Sequence, residues 1–176
     1  MRKVLYLMGI LEDRDVEWMA KNGTTKFIRS GTILINEGNV IEDVYLVLEG
    51  KLSVSIRAMA NREVAALLAG EIVGEMSFVD ARPPSASVIA QQDSYVLALS
   101  RAVLLRKLNT DDAFAGRFYR ALATLLANRL RKTTSYLGYG KGTEDLDPDE
   151  LDESLIGSMS IGATRFDRLL KQLRIQ

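Results

Sequence analysis

The sequence predicts an α+β fold: an antiparallel β-roll, jelly-roll-like with about eight strands, flanked by an N-terminal helix and C-terminal helices. Three observations carry that expectation. Between residues 24 and 99 short apolar or alternating runs recur at even spacing, separated by Gly and Asn. The gaps between runs leave no room for the helices of βαβ crossovers, which points to an antiparallel sandwich or barrel. Beyond residue 101 the pattern changes to apolar residues three and four apart, the spacing of an amphipathic helix.

Taken in order, residues 11–22 read as a short helix, with acids in the first turn and Gly23 just past the end. The strand runs are 26–29, 32–35, 44–48, 52–56, 64–68, 87–90 and 95–99, with breaks near Gly31, Gly38-Asn39, Gly50, Asn61, Gly70 and 91–93. Gly31, Gly38 and Gly50 fall where an antiparallel chain reverses tightly and positive φ is needed. Residues 101–108 form one helix, and 109–112 supply a break and a new N-cap. A longer helix follows over 112–137, where Phe114, Phe118, Leu122, Leu125, Leu126 and Leu130 recur at helical spacing until Gly138 and Gly140 stop it. Seven of the ten residues 144–153 are acidic and Pro148 lies among them, the composition of a solvated linker. In a final helix over 163–175, Phe166, Leu169, Leu170 and Leu173 form an apolar stripe opposite Arg165, Arg168, Lys171 and Arg174. The expected units are therefore 1–110 for the roll with its N-terminal helix, 111–138 for the long helix, 139–157 for the acidic linker and 158–176 for the tail helix.

Composition closes several routes. The chain has 176 residues, 47% hydrophobic and 26% charged, with 23 basic and 23 acidic residues and no net charge. Phosphate neutralisation by bulk charge is disfavoured at that balance. With no Cys and no His, disulfides, thiol nucleophiles, His-based triads and the usual zinc sites are absent. No P-loop and no nucleophile–base pair is visible, so no catalysis is expected. No stretch approaches the roughly 20 apolar residues of a membrane span. The apolar start runs into Glu12-Asp13 rather than a small-residue cleavage site, so it reads as structure and the expected location is cytoplasmic.

Four segments carry the functional signal, in this order: Ser30-Gly-Thr-Ile-Leu-Ile-Asn-Glu-Gly-Asn39, Asp43-Val-Tyr-Leu-Val-Leu-Glu-Gly-Lys-Leu-Ser-Val54, Gly70-Glu-Ile-Val-Gly-Glu-Met-Ser-Phe-Val-Asp80 and Ser85-Ala-Ser-Val88. Gly74-Glu75-Met76-Ser77-Phe78 reads as a turn entering one helical turn, whose free N–H groups in a concave nest suit a phosphate. A carboxylate beside them, Glu75, repels phosphate but accepts a hydrogen bond from a ribose hydroxyl. By joint order and spacing the four segments resemble the cyclic nucleotide-binding domain family, which includes bacterial catabolite-activator regulators, protein kinase A regulatory subunits and gated channels. The resemblance covers about residues 10–137.

The resemblance implies a ligand site at Gly74, Glu75, Met76, Ser77, Pro84, Ser85, Ala86 and Ser87. Glu75 would hold the ribose 2′-hydroxyl and the neighbouring amides the cyclic phosphate of cyclic AMP or cyclic GMP, with no metal and no other cofactor. In the family an arginine precedes the two small residues of the last segment and forks onto the phosphate. Here that position is Pro84. Loss of a charged hydrogen bond worth about 1.5–3 kcal/mol lowers affinity about 10- to 150-fold. Arg82 lies two residues earlier, but Pro83-Pro84 stiffens the loop and leaves Arg82 facing solvent.

The implied function is a stand-alone regulatory or sensor module binding cyclic nucleotide weakly or a related ligand. The alternative is a ligand-free scaffold that keeps the roll for protein interaction. Residues 138–176 hold no helix-turn-helix, so DNA is not an expected partner. The long helix over 112–137 has more large apolar residues than one sheet contact covers, so a homodimer through it is expected, with a downstream protein partner. The acidic run has three readings: a solvated linker, a lure for a basic partner, or a neighbour of Arg129, Arg131 and Lys132.

Overall fold

The computed structural model describes residues 6–136 and 153–175. Eight strands form two four-stranded antiparallel sheets. They are β1 (Thr24–Ile28), β2 (Ile33–Ile35), β3 (Asp43–Glu49), β4 (Lys51–Ile56), β5 (Arg62–Leu68), β6 (Ile72–Val73), β7 (Ser87–Ala90) and β8 (Ser94–Ser100). One sheet has the order β1-β8-β3-β6 and the other β2-β7-β4-β5. Among the described residues there are also six α-helices: α1 (Tyr6–Ile10), α2 (Asp13–Asn22), α3 (Glu75–Asp80), α4 (Arg101–Thr110), α5 (Asp112–Tyr136) and α6 (Glu153–Leu173).

The continuous apolar run of β3 follows from burial on both faces. Val44, Leu46 and Leu48 join Leu97 and Leu99 of β8 in a core beneath α1, α2, α4 and α5, which includes Leu11, Val16, Leu104, Phe114 and Phe118. The alternate residues Tyr45 and Val47, with Val96 and Ala98, face the second sheet and meet Ile35, Leu52, Leu67, Val88 and Ala90. The first sheet is thus a shared wall between a helical core and an inter-sheet core.

The roll and its flanking helices match the expectation, with local differences. The expected helix over 11–22 is α2, which starts two residues later: Glu12 is extended at its N-cap, and the Asp15 carboxylate accepts the Glu12 N–H at 2.8 Å, while α1 is a separate short helix that precedes the expected one. Asp111 accepts the Phe114 N–H at 2.9 Å and so starts α5. The two-residue β6 lies outside the seven strand runs read from the sequence, too short to show an alternation of its own. The last helix begins at Glu153, well before 163. Residues 137–152, most of the expected acidic linker, lie outside the described residues. Among the described residues, no helix is long and apolar enough to cross a membrane.

α6 packs on α1 and α2. Phe166 and Leu169 are buried there, and Leu170 and Leu173 are packed against the same core, so all four residues of the expected stripe dock.

Candidate functional site

The third and fourth of the four segments, 70–80 and 85–88, sit where the two sheets are joined. β6 ends at Val73, and Gly74 turns the chain into α3 with φ +86 and ψ 6, a left-handed conformation in which L side chains are strained. A Cβ at Gly74 would lie 2.7 Å from Ile41 Cδ1, a side-chain tip that can shift, so it is the backbone that favours glycine. The N–H groups of the first turn of α3, from Glu75 to Ser77, have no carbonyl partner within the helix. Glu75 and Ser77 are buried while Met76 points outward.

Residues 81–86 connect α3 to β7 in the other sheet. The Pro84 carbonyl accepts the Gly38 N–H at 2.8 Å, and Ser87 Oγ accepts the Glu37 N–H at 3.1 Å. Glu37 in turn accepts the Arg57 N–H at 2.8 Å. The 84–87 segment is therefore fastened to the turn between β2 and β3, which carries Glu37 and the Gly38-Asn39 break. Ser85 is exposed, with Ala86 half-buried beside it. Pro84, at the position where the sequence resemblance implies an arginine, has its only polar group, the carbonyl, already engaged. The Arg82 side chain is 84% exposed and pairs loosely with Asp80, at 3.9 Å.

The unforeseen member is Arg129, on α5. Glu75 is only 3% exposed, and its carboxylate is paired with the Arg129 guanidinium. A second nitrogen of Arg129 donates to the Ile72 carbonyl at 3.0 Å. Such a buried carboxylate requires a partner, and the partner comes from 54 residues away along the chain. α5 grips α3 a second time through Phe78, whose ring meets Phe118 edge-on at 5.9 Å between centroids, with Phe114 stacked behind at 5.6 Å. Arg101 adds a bond to the Ser77 carbonyl at 2.9 Å. Phe118, Leu122, Leu125 and Arg129 fall at helical spacing, so one stripe of α5 carries both contacts. That spacing was the available signal for Arg129. From the sequence alone Arg129 reads instead as a candidate neighbour of the acidic run at 144–153.

A β-roll of this topology, with a left-handed glycine leading a buried glutamate into a one-turn helix, is the frame of a known class of ligand-binding domains. Residues 25–111 match the cyclic nucleotide-binding domain family, and over them the chain carries a domain of that family. It is 35% identical over 104 residues to the cyclic AMP receptor protein of Thermus thermophilus, a match covering 58% of this chain and 46% of that protein. It is also 32% identical over 107 residues to the Pycsar effector protein XpPycTIR of Xanthomonas perforans, covering 57% of this chain and 31% of that protein. The chain thus spans less than half the length of these curated relatives. A solved cyclic nucleotide-binding domain from Methylobacillus flagellatus has the same fold, with a TM-score of 0.69 at 23% identity over 85% of this chain and 84% of that one.

Proposed function

We propose that the chain is a regulatory or sensor module that binds a cyclic nucleotide, or a related ligand, weakly. The observation that supports this reading is the left-handed Gly74 leading the buried Glu75 into α3; the cation is the part this reading takes to be missing. Gly74 keeps its left-handed turn and Glu75 its buried position, while Pro84 stands where a guanidinium would meet the phosphate and Arg82 faces solvent. Gly74 to Ser77 would supply the amides and the ribose acceptor, and Pro84 to Ser87 the opposite rim. Cyclic AMP and cyclic GMP are the ligands to test, and signal would leave through α5 to a downstream protein. A homodimer through α5 belongs to the same reading.

A second reading, a scaffold that has lost the ligand, is favoured by one observation: Glu75 is already paired with Arg129. Calorimetry of cyclic AMP and cyclic GMP on the wild type and on Pro84→Arg separates the two. The sensor reading expects weak or undetectable binding by the wild type. It expects a gain of about 1–3 kcal/mol from the restored charge-assisted bonds. Tight wild-type binding would mean that another cation serves the phosphate. No gain from Pro84→Arg would put the scaffold reading ahead.

A further inference from the structure

We propose that the first turn of α2 couples α5 to α6, so that the docking of α6 depends on where α5 places Arg117. The carboxylates of this turn are divided between the two helices. Asp15, 2% exposed, accepts Arg117 Nε at 2.6 Å and Nη2 at 2.8 Å. Glu12 takes Arg117 Nη1 at 3.1 Å. Between them in sequence, Asp13 faces the other way and accepts Arg165 Nε at 2.6 Å and Arg168 Nη1 at 3.0 Å, both from α6. Arg165 also donates to the Met8 and Gly9 carbonyls at the end of α1, at 3.1 and 3.3 Å.

The turn transmits because it cannot stay in place alone. Asp15 also accepts the Glu12 N–H, so the group that binds Arg117 is the one that shapes the start of α2. A buried carboxylate does not persist without its cation. If Arg117 leaves, the turn must follow or open, and Asp13 goes with it. Arg117 thereby controls a contact to which its own bonds do not extend, since among the described residues they go to Glu12 and Asp15 at the start of α2. The same α5 carries Arg129 to Glu75 and Phe118 to Phe78, so a shift of α5 over the candidate site would be read out as release of α6. This goes beyond the sensor reading, because the coupling exists whether or not a nucleotide is bound.

Hydrogen exchange read by mass spectrometry on the full chain tests it. The variants are Arg117→Gln, Asp13→Asn and, as an α5 control away from α2, Thr124→Ala; β3 and β8 report global opening. Both Arg117→Gln and Asp13→Asn should speed exchange over residues 160–173 by about tenfold, with β3, β8 and the control unchanged. The proposal is overturned if α6 in Arg117→Gln stays within about twofold of wild type while Asp13→Asn speeds it. It is equally overturned if β3 and β8 accelerate as much as α6. Should Arg117→Gln fail to fold, Arg117→Lys keeps the charge without the planar fork and is read in the same way.

Discussion

At Gly50 the chain passes from β3 to β4 with φ +100, and a Cβ placed there would lie 2.1 Å from Ser94 Oγ and 2.6 Å from Ser94 Cβ. Ser94 is fully buried and its hydroxyl is bonded to the Gln92 carbonyl at 2.8 Å, so it has nowhere to retreat. Gly50→Ala combines a strained backbone with an overpacked contact, each costing about 1–3 kcal/mol. Urea denaturation should show the midpoint falling with the slope unchanged. The double variant Gly50→Ala/Ser94→Gly should recover only part, since Ser94 Cα lies within 2.8 Å as well. A Gly50→Ala protein as stable as wild type would mean the corner relaxes freely. The corner itself was legible in the sequence, because a glycine between two apolar runs marks a reversal. Ser94 was not, because what crowds a glycine from a distant strand leaves no local pattern. The same asymmetry applies to the site: Glu75 stood out beside Gly74, whereas Arg129 was one cation among several on a long helix.

Elements were legible in proportion to their length and to the regularity of their burial. β3 and β8 show as apolar runs because both of their faces are covered. β6 has two residues and no period to read. α6 was underestimated because Gly157 and Gly162, with several serines, weaken helix propensity ahead of the apolar stripe. It is helical there nonetheless, and Gly162 is buried. The docking of α6 should depend on pH through Asp13. The Arg165 hydrogen bond, with the charges of Arg165 and Arg168, holds the Asp13 carboxyl below its ordinary value of 3.8. A carboxyl with a depressed folded pKa contributes stability above its unfolded pKa and loses it as pH falls through the folded value. The charged part of α6 docking is therefore complete at neutral pH and is lost below about pH 4. Exchange of residues 160–173 followed from pH 6 to pH 3, corrected for intrinsic rates, should show loss of protection at the acid end. In Asp13→Asn that acid-dependent step should be missing. An identical step in the variant would assign it to other carboxyls.

For the molecule as a whole, α5 divides its surface between two tasks. Its inner stripe, Phe118, Leu122, Leu125 and Arg129, holds the roll and α3. The adjacent face carries Tyr119, Ala123, Leu126 and Leu130 at the same spacing, with Tyr119 46% and Leu130 64% exposed. The sequence pattern showed an apolar surface too broad for one contact, and the structure accounts for the inner half only. A second copy meeting this face along α5 would bury large side chains worth about 1.5–3 kcal/mol each, against an association cost of about 4–15 kcal/mol. The balance points to a dimer of modest affinity, formed at about tens of micromolar protein. Light scattering across that range should give the mass of two chains, and Leu130→Glu should return one chain without lowering stability, because Leu130 contributes to no core cluster. A wild-type monomer throughout the range counts against it. So does a dimer indifferent to Leu130→Glu, which would place the interface elsewhere. If the dimer forms as expected, it clamps α5 from outside while Arg129 and Phe118 clamp it from within. Any displacement of α5 toward or away from Glu75 would then have to be made by two copies together.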